Sequence, residues 1–219
     1  MSLGAAAVRD GNTIYSRLRP VGERESVGGM LARNAARLPG HAMYGVRRDG
    51  TFHRVSWKQC LDDVVTLGRF LSEAGVGENT RVVSVSPNRG ELLVVELATM
   101  CLGATYVPIF AGYSSEQLRD LIEYADPTVL VVAGRQQLMR ACVPQTVRAL
   151  ITLDPLTGAD RDAAPAGSLT RVLAFADALE RGAGGASAAA AGAFLAAAAQ
   201  VDPSTACLMM YTSGTSGRM

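Results

Sequence analysis

The sequence lacks the features that would place the chain in several broad classes of protein. Its 219 residues include only four cysteines and two histidines. No two cysteines form the close pair that a zinc site needs, so a zinc-binding module is not expected. Cys60, Cys101, Cys142 and Cys207 are far apart and mostly beside apolar residues. We interpret them as small buried side chains in a reducing compartment, which indicates a cytoplasmic protein.

Long apolar runs and an excess of one charge are also missing. No stretch reaches the roughly 20 apolar residues that a membrane-spanning helix needs. The 21 lysine and arginine residues almost balance the 20 acidic residues, which leaves a net charge of +1. This balance predicts binding neither to nucleic acid nor to an anionic membrane. Arg47 and Arg48 form a small basic cluster, which we interpret as a solvated turn.

What the sequence does contain is a regular alternation of helical and strand patterns. Two short strands, 42–48 and 51–57, are joined at Asp49-Gly50, which is a strong hairpin signal. Further strands are predicted at 81–86, 104–110, 128–133, 149–153 and 206–211. Helices are predicted at 26–38, 57–74, 91–102, 114–124, 136–143, 171–180 and 186–200.

This alternation predicts an α/β fold with largely parallel sheets flanked by helices. The strand 128–133 is almost entirely apolar, so both of its faces should be covered. From about 155 to 200 the pattern loosens into an alanine- and glycine-rich segment. We interpret residues 1–25 as an N-terminal extension and 26–219 as one partial domain, with a variable insert at about 155–200.

The most informative stretch is Tyr211-Thr-Ser-Gly-Thr-Ser-Gly-Arg218, which follows a predicted apolar strand. Gly214 and Gly217 let the backbone approach a ligand closely, and exposed N–H groups in such a turn bind anions. Hydroxyl donors are added by Thr212, Ser213, Thr215 and Ser216. A polyphosphate is the natural partner of this set, although on composition alone a solvated loop is the commoner interpretation. The stretch is not a Walker loop, because no Gly-Lys-[Ser/Thr] follows.

The same stretch resembles the phosphate-loop signature of the adenylate-forming superfamily, which includes the acyl-CoA synthetases. The segment Leu102-Gly-Ala-Thr-Tyr-Val-Pro-Ile109 is similar to another family segment, and Asn88-Arg-Gly-Glu91 resembles the opening of the helix before it. Trp57 and the helix that begins near Tyr113 add weaker matches. Met219 departs from the family pattern, because proline is usual at that position. In this order the matches resemble the N-terminal part of a fatty acyl-CoA ligase.

The resemblance implies a fold, a reaction and a set of site residues. The fold would be the incomplete N-terminal part of the adenylate-forming enzyme fold. The parent enzyme would convert a carboxylic acid, in particular a fatty acid, with ATP and coenzyme A into acyl-CoA, AMP and pyrophosphate through an acyl-adenylate, with Mg²⁺ assisting. The residues that would bind the ATP phosphates are Thr212, Ser213, Gly214, Thr215, Ser216 and Gly217. No catalytic or metal-binding residue is assigned in this chain.

On this interpretation the chain ends inside the phosphate-binding loop. We expect it to be inactive alone and to self-associate through the strand 206–211. The alternative belongs to a different class, a stand-alone, non-catalytic binding or interaction module from a split gene. An unrelated Rossmann-type domain would require Gly-x-Gly-x-x-Gly after the first sheet strand, and residues 81–89 lack it.

Overall fold

The computed structural model describes residues 7–10, 13–16, 25–164, 170–184 and 187–212. The strands are β1 (Ala7–Asp10), β2 (Thr13–Ser16), β3 (Ala42–Arg48), β4 (Thr51–Ser56), β5 (Arg81–Val85), β6 (Thr105–Ile109), β7 (Val129–Val132), β8 (Ala149–Thr152) and β9 (Arg171–Ala174). The helices are α1 (Val27–Arg37), α2 (Trp57–Glu73), α3 (Gly90–Cys101), α4 (Ser115–Ala125), α5 (Arg135–Leu138), α6 (Gly158–Asp162), α7 (Phe175–Ala183) and α8 (Ala188–Ala199).

A five-stranded parallel sheet in the order β6-β5-β7-β8-β9 forms the centre of the fold. Two antiparallel hairpins, β1-β2 and β3-β4, precede it in the chain. The predicted α/β class with a parallel sheet flanked by helices is confirmed.

The apolar strands explain why helices cover both faces of this sheet. Every residue of β7 and β8 is buried. Alternate residues point to opposite faces, so Val129 and Val131 join a core with α1, α2, α3, α7 and α8. Leu130 and Val132 join a second core with α4 and α5. The sheet is therefore the middle layer of three.

Several helices begin where their sequence provides a cap. The Ser56 side chain accepts a hydrogen bond from the backbone N–H of Gln59, and the Gln59 side chain accepts one from the backbone N–H of Ser56. Ser114 and Gln117 form the same reciprocal pair at the start of α4. Such capping boxes satisfy backbone donors that have no partner within the helix. The predicted starts of α2 and α4 are confirmed.

The turn between β3 and β4 also forms as predicted. Asp49 and Gly50 both have a positive φ, at 49° and 78°. Two such residues make the two-residue turn whose twist matches that of a hairpin.

Three sequence predictions need correction. The predicted helix 171–180 is wrong in its first part, because Arg171–Ala174 forms β9 at the edge of the sheet and only then does α7 begin. The predicted helix 136–143 shortens to α5, which ends at Leu138 and is followed by a turn and irregular backbone up to Pro144. The predicted strand 206–211 is extended but makes a single bridge, between Leu208 and Tyr106.

The segment 155–200, expected as a loose insert, contributes β9 to the sheet and α7 and α8 to its cover. Among the described residues no single helix is long and apolar enough to cross a membrane. The pair α7 and α8, bent by 110°, meets that criterion of length and composition only when the two helices are taken together.

The contact between α7 and α2 leaves no room for a side chain at Gly182. A Cβ atom added there would lie 2.0 Å from the backbone carbonyl oxygen of Thr66. Arg69 strengthens the same contact, because its guanidinium donates a hydrogen bond of 2.7 Å to the carbonyl of Gly182. The backbone of α2 cannot yield as a flexible side chain would.

We expect Gly182→Ala to lower the free energy of unfolding by about 1–3 kcal/mol, because overpacking outweighs the better helix propensity of alanine. Gly192→Ala in α8 is the matched control, since nothing lies within 4 Å of an added Cβ there. That variant should gain about 0.5–1 kcal/mol. Urea unfolding of both variants measures the difference. Equal effects of the two substitutions would show that α7 does not pack on α2 in this way.

Candidate functional site

An extended segment, residues 206–212, runs beside the edge strand β6 and leads to the predicted phosphate loop. The backbone N–H of Tyr106 donates to the carbonyl of Cys207 at 2.9 Å, and that of Met209 donates to the carbonyl of Tyr106 at 3.0 Å. The Thr105 hydroxyl donates to the carbonyl of Ala206 at 2.7 Å. The pairing is parallel, so the segment ends at the same edge of the sheet as the carboxyl ends of the five strands.

The side chains of this segment alternate between two environments. Met209 and Tyr211 pack against the second core, on the side of α4. The Tyr211 hydroxyl donates a hydrogen bond of 2.9 Å to the carbonyl of Leu121 in α4, which fixes the residue immediately before the loop. Leu208 and Met210 point the other way and are 42% and 66% exposed. In the described structure this apolar segment is therefore covered on one face only.

The predicted phosphate-binding residues lie at the end of this segment. Thr212 is exposed at the carboxyl edge of the sheet. The other five predicted residues, Ser213, Gly214, Thr215, Ser216 and Gly217, lie outside the described residues. The structure therefore locates where the loop begins and leaves its phosphate contacts as a prediction.

The carboxyl edge next to Thr212 contains a topological switch point. The connection after β5 leads to α3 on one face of the sheet, whereas the connection after the neighbouring β7 leads to α5 on the other face. In open α/β sheets such divergence opens a crevice in which ligands commonly bind.

Arg89 connects the loops at this edge. Its guanidinium donates to Asp154 after β8, with a distance of 2.5 Å between Nη1 and Oδ1, and to Glu91 at the start of α3, at 3.1 Å. Burial acts to lower the pKa of Arg89, but the hydrogen bonds to Glu91 and Asp154 outweigh it, so the pKa is raised. Asp154 in turn lies against Gly134, where an added Cβ would be 2.3 Å from its Oδ2 atom.

Two open cavities lie on either side of the loop that contains Asn88 and Arg89. One, of about 560 Å³, lies between the β3-β4 hairpin and the start of α3. The other, of about 400 Å³, lies between α3 and the extended segment. Its walls include Leu92, Leu93, Glu96, Tyr106, Pro108, Leu208 and Met210. The second cavity is thus a mainly apolar groove with one carboxylate.

Burial perturbs the titratable groups of this groove. The Tyr106 hydroxyl forms a hydrogen bond of 2.7 Å with that of Ser84, and burial raises the pKa of Tyr106 to about 12. Burial also raises the pKa of Glu96. The groove therefore disfavours the charged forms of the two acidic groups that line it.

The chain matches the model of the family described as AMP-binding enzyme over residues 31–219. The chain belongs to this family. Of its relatives, the long-chain-fatty-acid–CoA ligase FadD15 of Mycobacterium bovis is 29% identical over 199 residues, which cover 90% of this chain and 31% of the relative. The acetyl-coenzyme A synthetase of Burkholderia mallei is 36% identical over 88 residues, which cover 40% of this chain and 13% of the relative. The chain thus spans less than a third of the length of these AMP-binding enzymes.

The fold is also similar to that of solved structures. The didomain of carboxylic acid reductase from Segniliparus rugosus, solved with AMP, superimposes with a TM-score of 0.61 at 18% identity. The match covers 74% of this chain and 27% of that chain. Together with the family match, this superposition confirms the resemblance to the adenylate-forming enzymes.

Sequence reasoning missed the network of Arg89, Glu91 and Asp154. It used Arg89 and Glu91 only as part of the family resemblance and assigned no role to Asp154. The signal was present, because Arg89 and Asp154 each follow a predicted strand of one parallel sheet, and such positions meet at one edge. Among the described residues, no group of three or more His, Cys, Asp or Glu side chains could hold a metal ion.

The raised pKa of Glu96 gives the free energy of unfolding a defined dependence on pH. An acid whose pKa is higher in the folded than in the unfolded state destabilises the fold as pH rises through that interval. We expect Glu96→Gln to be more stable than the unchanged chain at neutral pH. The difference should vanish below the unfolded pKa of about 4.3.

Urea unfolding at several pH values measures this difference. Glu78→Gln is the control, because Glu78 is an exposed loop residue. A stability gain for Glu96→Gln that persists unchanged at acidic pH would contradict the burial of this carboxylate.

Proposed function

We propose that the chain is the N-terminal portion of an ATP-dependent acyl-CoA synthetase. The whole enzyme converts a carboxylic acid, ATP and coenzyme A into acyl-CoA, AMP and pyrophosphate through an acyl-adenylate. The observation that carries this proposal is the place of Thr212. The parallel segment 206–212 brings Thr212, the first residue of the Thr-Ser-Gly-Thr-Ser-Gly sequence, to the carboxyl edge of the sheet that contains the switch point.

The donor set of the loop fits the phosphates of ATP. Neutral hydroxyls and backbone N–H groups bind phosphate oxygens without adding charge of their own. Thr215 and Ser216 are the proposed hydroxyl contacts to the β- and γ-phosphates, and Thr212, Ser213, Gly214 and Gly217 complete the cradle. Tyr211, held on α4, determines where this cradle starts.

ATP supplies the leaving group that turns a carboxylate into an acyl donor. Holding the β- and γ-phosphates in fixed donors would favour the charge that develops on pyrophosphate as it leaves. Mg²⁺ and coenzyme A are the proposed further cofactors of the whole enzyme. The described residues include no carboxylate cluster for a metal, so no residue of this part of the chain is assigned to Mg²⁺.

A fatty acid is the proposed substrate class. This assignment is supported by the name of the FadD15 relative, at 29% identity, whereas the acetyl-coenzyme A synthetase relative is named for a short acid. Two features support a reducing, cytoplasmic location for the enzyme. All four cysteines are free, and Cys60 and Cys101 are buried in the first core.

The division of the chain is part of the same proposal. Residues 26–219 form a partial AMP-binding domain, and residues 1–25 are an N-terminal extension. The alternative function is a stand-alone, non-catalytic binding module. Its support is that the described sheet has covered faces and two cores of its own, which a self-standing module would need.

We expect the chain to bind ATP or pyrophosphate weakly, with a Kd in the millimolar range, about −4 kcal/mol. Ordering the loop costs roughly 1–2 kcal/mol per residue in backbone entropy, and neutral donors alone offset little of it. Phosphorus NMR titration measures the affinity. Gly214→Val should abolish binding, whereas Gly192→Val in α8 should leave it intact. An affinity unchanged by Gly214→Val would place the phosphates elsewhere.

We expect no acyl-adenylate from this chain alone. Among the described residues, no group of three or more His, Cys, Asp or Glu side chains could hold the Mg²⁺ that the reaction would use. A pyrophosphate-exchange assay with a panel of fatty acids is the test. Exchange clearly above that of a heat-denatured sample would show that the chain contains a complete active site.

We also expect the chain to self-associate through the exposed side of the segment 206–212. Leu208 and Met210 are exposed apolar residues beside unpaired backbone groups of a sheet edge, and such edges recruit other chains. Leu208→Lys combined with Met210→Lys should give a monomer in gel filtration with light scattering. Met139→Lys, at an exposed methionine on the opposite face, should not. A monomeric unchanged chain that binds no hydrophobic dye would refute self-association.

A further inference from the structure

The outer face of the β3-β4 hairpin combines an exposed aromatic ring with arginines. Directly paired residues of a hairpin point to the same side, so the register pairs Arg47 with Phe52 and Gly45 with Arg54 on one face. Phe52 is 70% exposed, and Arg47 and Arg54 are exposed as well. Gly45 lies beneath the Phe52 ring, where an added Cβ would be 3.7 Å from it.

The opposite face of the hairpin packs against the rest of the protein. Tyr44 and Val55 pack against the first core. Tyr44 and Val46 lie so close to the start of α3 that a Cβ on Gly90 would be 3.2 Å and 2.6 Å from their side chains. The orientation is therefore fixed, and the residues of the outer face, Gly45, Arg47, Phe52 and Arg54, are all exposed.

The charge of this region differs from that of the whole chain. Residues 37–58 contain five cationic residues and one acidic residue, a net charge of +4, against +1 for all 219 residues. Lys58 forms an ion pair with Asp62. By contrast, Arg37, Arg47 and Arg54 form no ion pair with any described residue. The near-neutral total hides a local cationic surface.

The surface extends beyond the hairpin itself. An open cavity of about 600 Å³ connects Arg54 with Arg37 at the end of α1 and with His41. The cationic groups thus extend from Arg47, paired with Phe52, through Arg54 to Arg37, rather than being confined to a single turn. An aromatic ring that projects among arginine side chains is complementary to a surface whose outer layer is anionic and whose interior is apolar.

We propose that this face, defined by Arg37, Arg47, Phe52 and Arg54, docks on an anionic phospholipid surface. The arginines contact the headgroup phosphates, and the Phe52 ring enters the boundary between headgroups and acyl chains. Membrane docking of this kind needs both an electrostatic and an apolar contribution. The face supplies both on one rigid hairpin. Docking is independent of the ligase reaction, because it uses no residue of the phosphate loop.

Sedimentation with vesicles tests the proposal on the full chain. Vesicles of phosphatidylcholine with an equal part of phosphatidylglycerol should bind the chain at low salt, and vesicles of phosphatidylcholine alone should not. Arg54→Gln should weaken the partition about fivefold, since each basic residue near such a surface contributes about 1 kcal/mol. High salt should release the chain, because screening shortens the range of these contacts.

Matched variants distinguish this face from general adsorption. Phe52→Ala should lose binding several-fold, whereas Tyr124→Ala, at an exposed ring on α4 across the sheet, should not. Arg119→Gln, an exposed arginine on α4, is the charge control for Arg54→Gln. Thermal unfolding of each variant checks that the fold is retained, which the exposure of all four side chains favours.

Three results would overturn the proposal. The first is equal binding to neutral and anionic vesicles, or to neither. The second is anionic binding that both Phe52→Ala and Arg54→Gln leave intact. The third is binding that Phe52→Ala leaves intact and that a polyglutamate peptide displaces, which would make the face a site for acidic polypeptides instead.

Discussion

Every residue of β7 and β8 is buried, and this requirement determines much of the remaining structure. Complete burial of a Val, Leu or Ile side chain is worth about 1.5–3 kcal/mol, so neither face of these strands can stay open to water. Covering both faces forces the connections to run on alternate sides of the sheet. The connections after β5 and β7 therefore diverge, and the switch point between these two strands is a consequence of burial.

The ion pairs at this edge form because loops from different strands meet there. The loops after β5 and β8 meet across the end of β7, and Arg89 joins them through Asp154. Because Glu91 also pairs with Arg89, two carboxylates already neutralise this guanidinium. Its role in the described structure is to hold the two loops together. The lack of a side chain at Gly134 is part of the arrangement, since Asp154 occupies that space.

The sequence predicted the elements whose signals are local. Ser56 and Ser114 marked helix starts, and Asp49-Gly50 marked the hairpin turn, because each acts through its own neighbours. β9 was missed because its four residues run directly into α7 without glycine, proline or a capping side chain. The Asp177 carboxylate accepts from the backbone N–H of Ala174 instead. Only pairing with β8 makes those residues a strand, and a single sequence does not contain that information.

The candidate site divides in the same way. The sequence alone showed the motif that ends in Gly217 and its resemblance to the adenylate-forming enzymes, because both depend on residue types in a fixed order. The network around Arg89 depends on which strands are neighbours, an order that the sequence does not state. The cationic face was hidden for another reason, since the net charge averages Arg47 and Arg54 with acidic residues elsewhere.

The segment 206–212 is held by few hydrogen bonds, so packing on its exposed side would affect the order of the residues that follow it. Its backbone is held by Tyr106 and Thr105, and its last apolar residue by the bond from Tyr211 to α4. Nothing described contacts the outer backbone edge at Leu208 and Met210. Any structure that packs there would restrict the segment before phosphate binds. It would thereby reduce the entropic cost of ordering the backbone on binding, which is roughly 1–2 kcal/mol per residue. By linkage, phosphate in the loop would favour that packing equally. If the loop binds phosphate as proposed, phosphate binding and packing at Leu208 and Met210 would therefore be thermodynamically coupled.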